Sequence, residues 1–186
     1  MLITEKILHQ IMPQATQKNI DLFIDPLNTA MEEFQINTPL RIAAFLAQIA
    51  HESGSLKYTE EIASGANYEY RENLGNLKSQ ALTIAHAHGA TTGRWFKGHG
   101  LIQVTGYYNH LKCGIALKID CLNKPYLLTQ PEGATRSAAW FWASHNLNEL
   151  ADECKFNKCT KIINGGFNGK PERDAFYAKA KEVLSC

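Results

Sequence analysis

The feature that most constrains the fold of this chain is an apolar stretch that ends in a polar cluster. Residues 43–50 are apolar except for one glutamine, and the polar residues 51–53 follow directly. Phe45, Ile49 and Glu52 recur at helical spacing, so the pattern predicts a helix with the Glu52 carboxylate on the side that belongs to the core. A carboxylate in that position needs either a partner or a chemical task.

The predicted helix has recognisable ends. Thr38 is a typical N-cap, and Pro39 suits the first helical position. Gly54 supplies the helix stop, so the helix should end at about Ser53. Segment 53–55 also allows the chain to turn back immediately after the helix.

A second carboxylate, Glu61, follows Glu52 by nine residues and is the neighbour of Glu60. Nine helical residues at about 100° each would put Glu52 and Glu61 on opposite faces, so they can face each other only if the chain turns between them. Two carboxylates brought together across a cleft are the minimal equipment of a glycosidase. Spacing alone leaves open that either is an ordinary surface carboxylate and that Glu60 is an equally available acid.

The rest of the sequence predicts a mainly α fold with little strand. Alternation over residues 101–105 predicts one short strand with Gln103 and Thr105 on the same face, although both could be ordinary polar residues of an edge strand. We predict a single domain over 1–186, with a helical body at about 1–59 and 95–186 and a small lobe at about 60–94. Helices are predicted at 2–12, 19–35 with an interruption at Pro26, 39–53, 78–87, 107–117, 135–143, 147–154 and 172–184.

Charge and hydropathy argue against several classes of function. The chain has 186 residues and a formal net charge of +1, so it lacks the strong positive field of a nucleic-acid-binding protein. No apolar run approaches the roughly 18 residues that span a membrane, so stable membrane insertion is not expected. The first residues lack the apolar segment and cleavage site of a signal peptide, and we expect synthesis in the cytosol without an export signal.

Cysteine and histidine usage predicts neither a metal site nor a cofactor. The five cysteines are odd in number, and free thiols are expected in a cytosolic chain. The pairs Cys113–Cys121 and Cys154–Cys159 are conceivable only in an oxidising compartment. Four histidines form only a weak zinc pattern: His86, His88, His99 and His110.

Several motifs, taken in order, resemble glycoside hydrolase family 19, the chitinase family that also includes bacteriophage endolysins. The spacing resembles the phage and bacterial branch, in which the two acids are close in sequence. The resemblance covers about residues 40–180 and implies a lysozyme-like helical fold with a cleft between two lobes. The motifs are His-Glu-Ser-Gly at 51–54, Glu-Ile-Ala-Ser-Gly-Ala-Asn-Tyr at 61–68, Lys-Gly-His-Gly-Leu-Ile-Gln-Val-Thr-Gly at 97–106, Ile-Ile-Asn-Gly-Gly-Phe-Asn-Gly at 162–169 and Glu-Arg at 172–173.

The resemblance also implies roles for individual residues. Glu52 matches the general acid, Glu61 the general base, and Thr105 the residue that helps to hold the attacking water. It implies inversion, with the two carboxyls roughly 6.5–9.5 Å apart. Other matching positions contact sugar or support the acids: Gln103, Tyr108, Asn109, Asn164 and Arg173. Taken from the residue alone, Asn164 could instead be a simple turn former.

Two positions depart from the family pattern. His99 stands where the family commonly has an arginine. Asn168 lies in the loop region where the plant enzymes carry a glutamate. The second departure weakens the transfer of plant-type chitin specificity to this chain.

The phage-like spacing favours an endolysin-type peptidoglycan hydrolase that cleaves β-1,4 glycosidic bonds, acting as a muramidase. Two alternatives stay open: a chitinase that acts on chitin oligomers, and a non-catalytic wall-binding module. The expected partner is bacterial peptidoglycan, with the protein acting as a monomer. It would wait in the host cytoplasm and reach the cell wall through a holin-type pore.

Overall fold

The computed structural model describes residues 2–186 and confirms a mainly α fold. Within these residues there are ten α-helices, joined by turns and by three short 3-10 helices at Ala66–Tyr68, Glu72–Leu74 and Pro125–Thr129. The α-helices are α1 Glu5–Ile11, α2 Gln17–Glu33, α3 Pro39–Glu52, α4 Ser79–Ala87, α5 Thr92–Trp95, α6 Tyr107–Leu117, α7 Pro131–Ser144, α8 Leu147–Asp152, α9 Phe156–Asn164 and α10 Lys170–Leu184.

Helix α3 is the centre of the molecule and has the predicted ends. The Thr38 hydroxyl accepts a hydrogen bond from the backbone N–H of Arg41 at 3.3 Å, and Pro39 occupies the first turn. Every residue from Ile42 to Ala50 is buried, and α3 contacts α8, α9 and α10. A helix buried on all sides can place a polar residue at its end in a sheltered position.

The predicted interruption of the second helix at Pro26 is wrong, because α2 continues through this residue. Proline removes one helical hydrogen bond and costs about 3 kcal/mol in a helix interior. Phe23 and Leu27 are buried on either side of Pro26, and α2 packs along α7. Leu22, whose carbonyl loses its partner, lies at the exposed surface. Packing therefore outweighs the local cost.

The predicted strand at 101–105 is also wrong. Leu101 and Ile102 are both buried, so the segment does not alternate between two faces. Gln103 has φ of 59° and Gly100 has φ of 86°, which makes the segment a tight turn. Within residues 2–186, β pairing is limited to two isolated antiparallel bridges, Glu60–His99 and His99–Val104.

A second, smaller apolar cluster lies apart from the main core. Its buried members are Ala81 of α4, Phe96 and Tyr107, and Trp95 packs against them. Residues of the predicted small lobe therefore pack on the segment that follows it. The division into a body and a lobe stays a prediction.

All five cysteines are free within the described residues, and Cys113, Cys121 and Cys159 are buried.

Across residues 2–186, no helix combines the length and apolarity needed to cross a bilayer.

Candidate active site

Glu52, the last residue of α3, forms an ion pair with Arg173 of α10. The Arg173 Nη2 donates to Glu52 Oε1. The Arg173 side chain is 1% exposed and that of Glu52 is 20% exposed. Arg173 also donates from Nη1 to Gln48 Oε1 and from Nε to the Asn168 carbonyl at 3.2 Å. The guanidinium thus holds the end of α3 and the loop before α10 in one arrangement.

Gln48 is a part of this network that the sequence reasoning missed. Its side chain is fully buried and donates from Nε2 to Thr160 Oγ1 of α9 at 2.8 Å. Gln48 lies one helical turn before Glu52 and is the single polar residue in the apolar stretch. This position in the sequence could have indicated that Gln48 belongs to a buried network, because a buried amide needs hydrogen-bond partners.

His51 is a second residue that the sequence reasoning left without a role. Its Nδ1 lies 2.6 Å from Glu172 Oε2, at the start of α10. Gly169 has φ of 68°, and a Cβ there would come within 2.0 Å of the His51 ring. Glycine at 169 is therefore required both by the backbone conformation and by the close approach of the ring.

The chain reverses direction directly after Glu52, as the glycine and serines predicted. Gly54, Ser55 and Leu56 have φ of 57°, 59° and 67°, all in the left-handed region. This conformation costs about 1–2 kcal/mol for each non-glycine residue. The Ser53 hydroxyl offsets part of this cost, because it accepts from the Leu56 backbone N–H at 2.8 Å.

Glu61 is held by two neutral donors. Its Oε1 accepts from the Tyr68 hydroxyl at 3.0 Å, and its Oε2 accepts from the Gly98 backbone N–H at 2.9 Å. Burial raises the pKa of Tyr68, and the hydrogen bond to Glu61 raises it further, so the tyrosine remains a donor. The carboxylate is therefore fixed in orientation without a cation bonded to it.

Glu60, the alternative acid, has a different environment. Its side chain is 50% exposed and lies 2.9 Å from the ammonium of Lys97. Lys97 also donates to the Glu61 backbone carbonyl at 3.2 Å. This arrangement is that of a surface ion pair.

Three of the predicted site residues line one groove of about 520 Å³: Gln103, Thr105 and Asn109. The Thr105 hydroxyl donates to the Gln103 carbonyl at 2.8 Å, and the Asn109 amide donates to the Thr105 carbonyl at 2.8 Å. Glu52 and Glu61 are not among the lining residues. The rest of the lining is Leu74, Ile102, Val104, Lys112, Trp140, Phe141, Ser144, His145, Ile162 and Ile163.

Two further predicted residues, Asn164 and Tyr108, are not among the lining residues of this groove. Asn164 is the last residue of α9, directly after Ile163, and its Nδ2 is the one buried polar side-chain atom without a partner among residues 2–186. Tyr108 is half-buried against the turn at Gly75, where a Cβ would lie 2.7 Å from the tyrosine ring. Tyr108 therefore packs between elements and does not line the groove.

The aromatic run in α7 divides between the core and the groove. Trp142 is fully buried and packs on Phe45, whereas Trp140 and Phe141 are half-buried and line the groove.

Within the described part of the chain, no group of three or more His, Cys, Asp or Glu side chains is arranged to hold a metal ion.

Comparisons with known proteins agree with this architecture. Residues 30–177 match the family described as chitinase class I, glycoside hydrolase family 19. An Arabidopsis thaliana endochitinase is 36% identical over 126 residues, which cover 67% of this chain and 39% of that protein. A family 19 domain-containing protein of Haemophilus influenzae is 25% identical over 95% of this chain and 94% of its own length. The chain thus spans about two-fifths of the length of the plant relative.

Solved structures show the same fold at low sequence identity. Chitinase C of Streptomyces griseus superposes with a TM-score of 0.76 at 23% identity, covering 98% of this chain and 76% of that one. A bacterial family 19 chitinase superposes with a TM-score of 0.77 at 22% identity, covering 99% and 95%. Because the family match covers most of the sequence, this chain belongs to glycoside hydrolase family 19.

Proposed function

We propose that this protein hydrolyses β-1,4 glycosidic bonds of bacterial peptidoglycan, as a muramidase of the endolysin type. The observation that carries the proposal is a pair of carboxylates with different partners. Glu52 is bound by the buried guanidinium of Arg173, and Glu61 is bound by the Tyr68 hydroxyl and a backbone N–H. Two carboxylates in unlike environments can take the separate roles of acid and base.

Glu52 is the proposed general acid. Within residues 2–186, Arg173 is bonded to Oε1, and no protein donor is hydrogen-bonded to Oε2. A protonated carboxyl keeps acceptor capacity on its carbonyl oxygen, so Glu52 can carry a proton on Oε2 while Oε1 stays bonded to Arg173. That proton passes to the glycosidic oxygen as its bond to the sugar carbon breaks.

Glu61 is the proposed general base. Its carboxylate accepts two hydrogen bonds, which hold it in place. A water molecule attacks the sugar carbon on the face opposite the leaving group, and Glu61 accepts the proton that the water loses. The Thr105 hydroxyl, in the groove, helps to orient this water. The configuration at the sugar carbon inverts.

Groups in and next to the groove favour a substrate of N-acetylated sugars. Asn164 directly follows the groove residue Ile163, and its buried Nδ2 is unpaired, which is costly unless a bound molecule supplies an acceptor. An acetamide carbonyl or a sugar hydroxyl supplies one. Trp140 and Phe141 offer apolar surface to the faces of sugar rings.

One feature of the groove favours peptidoglycan over chitin. Lys112 is an exposed cation beside Thr105 and Asn109. Peptidoglycan carries peptide stems with carboxylates, whereas chitin is uncharged, so a cation in the groove favours the former. Hydrolysis of chitin oligomers is the second candidate, and it is favoured by the names of the relatives, several of which are endochitinases.

Mass spectrometry of the fragments released from purified cell wall tests the proposal. A muramidase leaves N-acetylmuramic acid at the new reducing ends, and this is the expected result. Release of reducing ends only from chitin would establish the second candidate. Binding to the wall without new reducing ends from either polymer would show a wall-binding module and contradict both.

The proposed setting is that of a phage endolysin, which acts as a monomer after release from the host cytoplasm through a holin-type pore. Expression in a bacterial host tests this setting. The culture should lyse when a pore-forming protein is co-expressed, and should not lyse without it. Rapid lysis without the pore would contradict the proposed route.

A further inference from the structure

A pair of buried histidines connects the loop that holds Glu61 to the first turns of α6. The His99 Nδ1 lies 3.0 Å from His110 Nε2, and His110 Nδ1 lies 2.9 Å from the Gly106 carbonyl oxygen. The exposed fractions are 4% for His99 and 0% for His110. The two rings meet at 85°, edge to face.

The chemistry of the groups determines which atom donates in each of these two hydrogen bonds. A carbonyl oxygen only accepts, so His110 carries its proton on Nδ1. Burial lowers the pKa of His110 to about 3 and the pKa of His99 to about 4, with the charge of Lys97 contributing at His99. Both rings are therefore neutral at neutral pH. His110 then presents a lone pair on Nε2, and His99 donates to it from Nδ1.

The charged groups nearest to the pair, Glu60 and Lys97, do not change the donation from His99 to His110. Glu60 Oε1 lies 4.0 Å from His99 Nε2, which is too long for a hydrogen bond. The ammonium of Lys97 lies 2.9 Å from that carboxylate and neutralises it. The pair is thus a neutral brace and not part of a charge network.

The pair acts on segment 98–105, which binds the proposed base Glu61 through Gly98 and contains the Thr105 hydroxyl. His99 and Val104 exchange backbone hydrogen bonds of 3.1 Å and 2.8 Å. Gly98, the preceding residue, donates to the Glu61 carboxylate, and Thr105 follows Val104. A displacement of His99 therefore moves both the Gly98 N–H that binds Glu61 and the Thr105 hydroxyl.

We infer that the His99–His110 hydrogen bond is a positioning element for the reaction. It fixes segment 98–105 on α6, and thereby fixes the Glu61 carboxylate and the Thr105 hydroxyl around the attacking water. The inference rests on the proposed function. Because a misplacement of about 1 Å can lower a rate by about 10²-fold, a brace at this point affects turnover more than substrate binding.

Two substitutions at His110 test the inference. His110→Gln keeps an acceptor for His99 and a donor for the Gly106 carbonyl, whereas His110→Leu removes both. We expect kcat to fall about 10- to 100-fold in the leucine variant, with KM within about threefold of the wild type, and we expect the glutamine variant to retain kcat within about threefold. His9→Leu, at an exposed position of α1, is the matched control and should leave both constants unchanged.

The outcomes separate this inference from the proposed function. An inactive wild-type protein on both polymers would defeat the proposed function, and the positioning role with it. An active wild type with unchanged kcat in His110→Leu would overturn the inference alone. If the leucine variant does not fold, the glutamine variant decides, because a loss beyond threefold contradicts the brace. Nitrogen-15 spectra of the wild type should show a proton on Nδ1 of both rings, and a proton on Nε2 of either ring would also overturn it.

Discussion

Arg173 donates from its buried guanidinium to the carboxylate of Glu52, although 121 positions of sequence separate the two residues. The pair joins the end of α3 to the second turn of α10, and Gln48 completes it from inside the core. A carboxylate held in this way has a defined orientation before any substrate binds. This is the condition for efficient proton transfer in the proposed reaction.

Replacing Glu52 by glutamine should remove hydrolysis while the protein stays folded. Glutamine has nearly the same size, and its amide carbonyl still accepts from Arg173. It has no proton to donate, so kcat should fall by about 10²–10⁴. Steady-state kinetics on peptidoglycan together with circular dichroism check this. Glu32→Gln, at an exposed position of α2, should have wild-type activity. Near-normal turnover in Glu52→Gln would remove this residue from the mechanism.

Replacing Arg173 by methionine should destabilise the fold. The change leaves the Glu52 carboxylate and the side-chain carbonyl oxygen of Gln48 without the donor that they share. Breaking a buried ion pair from one side costs about 3–5 kcal/mol, and we expect about 3 because Glu52 keeps an exposure of 20%. Denaturant unfolding measures the change in the free energy of unfolding. Lys179→Met, which breaks the exposed pair with Glu182, should cost about 0–1 kcal/mol. Equal losses in the two variants would contradict the central role of Arg173.

The free energy of unfolding should decrease as pH falls from 6.5 towards 4, because of the two buried histidines His99 and His110. The pKa values of His99 and His110 are lowered to about 4 and about 3, against an ordinary value of 6.5. Below pH 6.5 the unfolded chain therefore binds protons that the folded chain does not. The stabilisation is complete above pH 6.5 and is lost as pH falls towards 4, by up to about 1.4 kcal/mol per pH unit for each histidine.

Thermal or denaturant unfolding at pH 7, 6, 5 and 4.5 checks this dependence. Carboxylates whose pKa is lowered by an arginine hydrogen bond, such as Glu33 and Asp152, add their loss only below about pH 4.5. The double variant His99→Gln with His110→Gln should show a shallower slope between pH 6.5 and 4.5. An unchanged slope would assign the loss to other groups.

Lys112 should affect peptidoglycan hydrolysis more than chitin hydrolysis. Removal of an exposed cation loses up to about 1 kcal/mol of attraction to an acidic substrate, which corresponds to a loss of up to about fivefold in kcat/KM. Lys112→Gln should show this loss on purified cell wall and no loss on a chitin hexamer. The difference should shrink as salt concentration rises. Lys6→Gln, on α1, is the control for general charge effects. Equal losses on both polymers would contradict the proposed preference.

The sequence predicted the helices and the helix ends where local chemistry determines them. The Thr38 cap, the Pro39 start and the turn after Ser53 depend on neighbouring residues, and all three are present. The mainly α fold and its family are confirmed. The roles of Glu52 and Glu61 stay predictions, but the structure gives each carboxylate specific partners.

The failures came where distant contacts decide the local structure. Pro26 continues a helix because α7 packs along it, and residues 101–105 turn because both Leu101 and Ile102 are buried. The position of Gln48 in the apolar stretch indicates that its amide needs partners, but these partners lie on α9 and α10, which no local pattern identifies. The same holds for the His99–His110 pair, which the sequence presented only as scattered histidines.

The anomeric configuration of the first product tests the central claim most directly. In that claim, Glu52 supplies a proton while Glu61 activates a water on the opposite face of the sugar. Proton NMR during hydrolysis of the β-1,4-linked glycan should show the α-anomer at the new reducing end before mutarotation equilibrates it. Initial release of the β-anomer would show retention, and would contradict the arrangement in which Glu61 activates water.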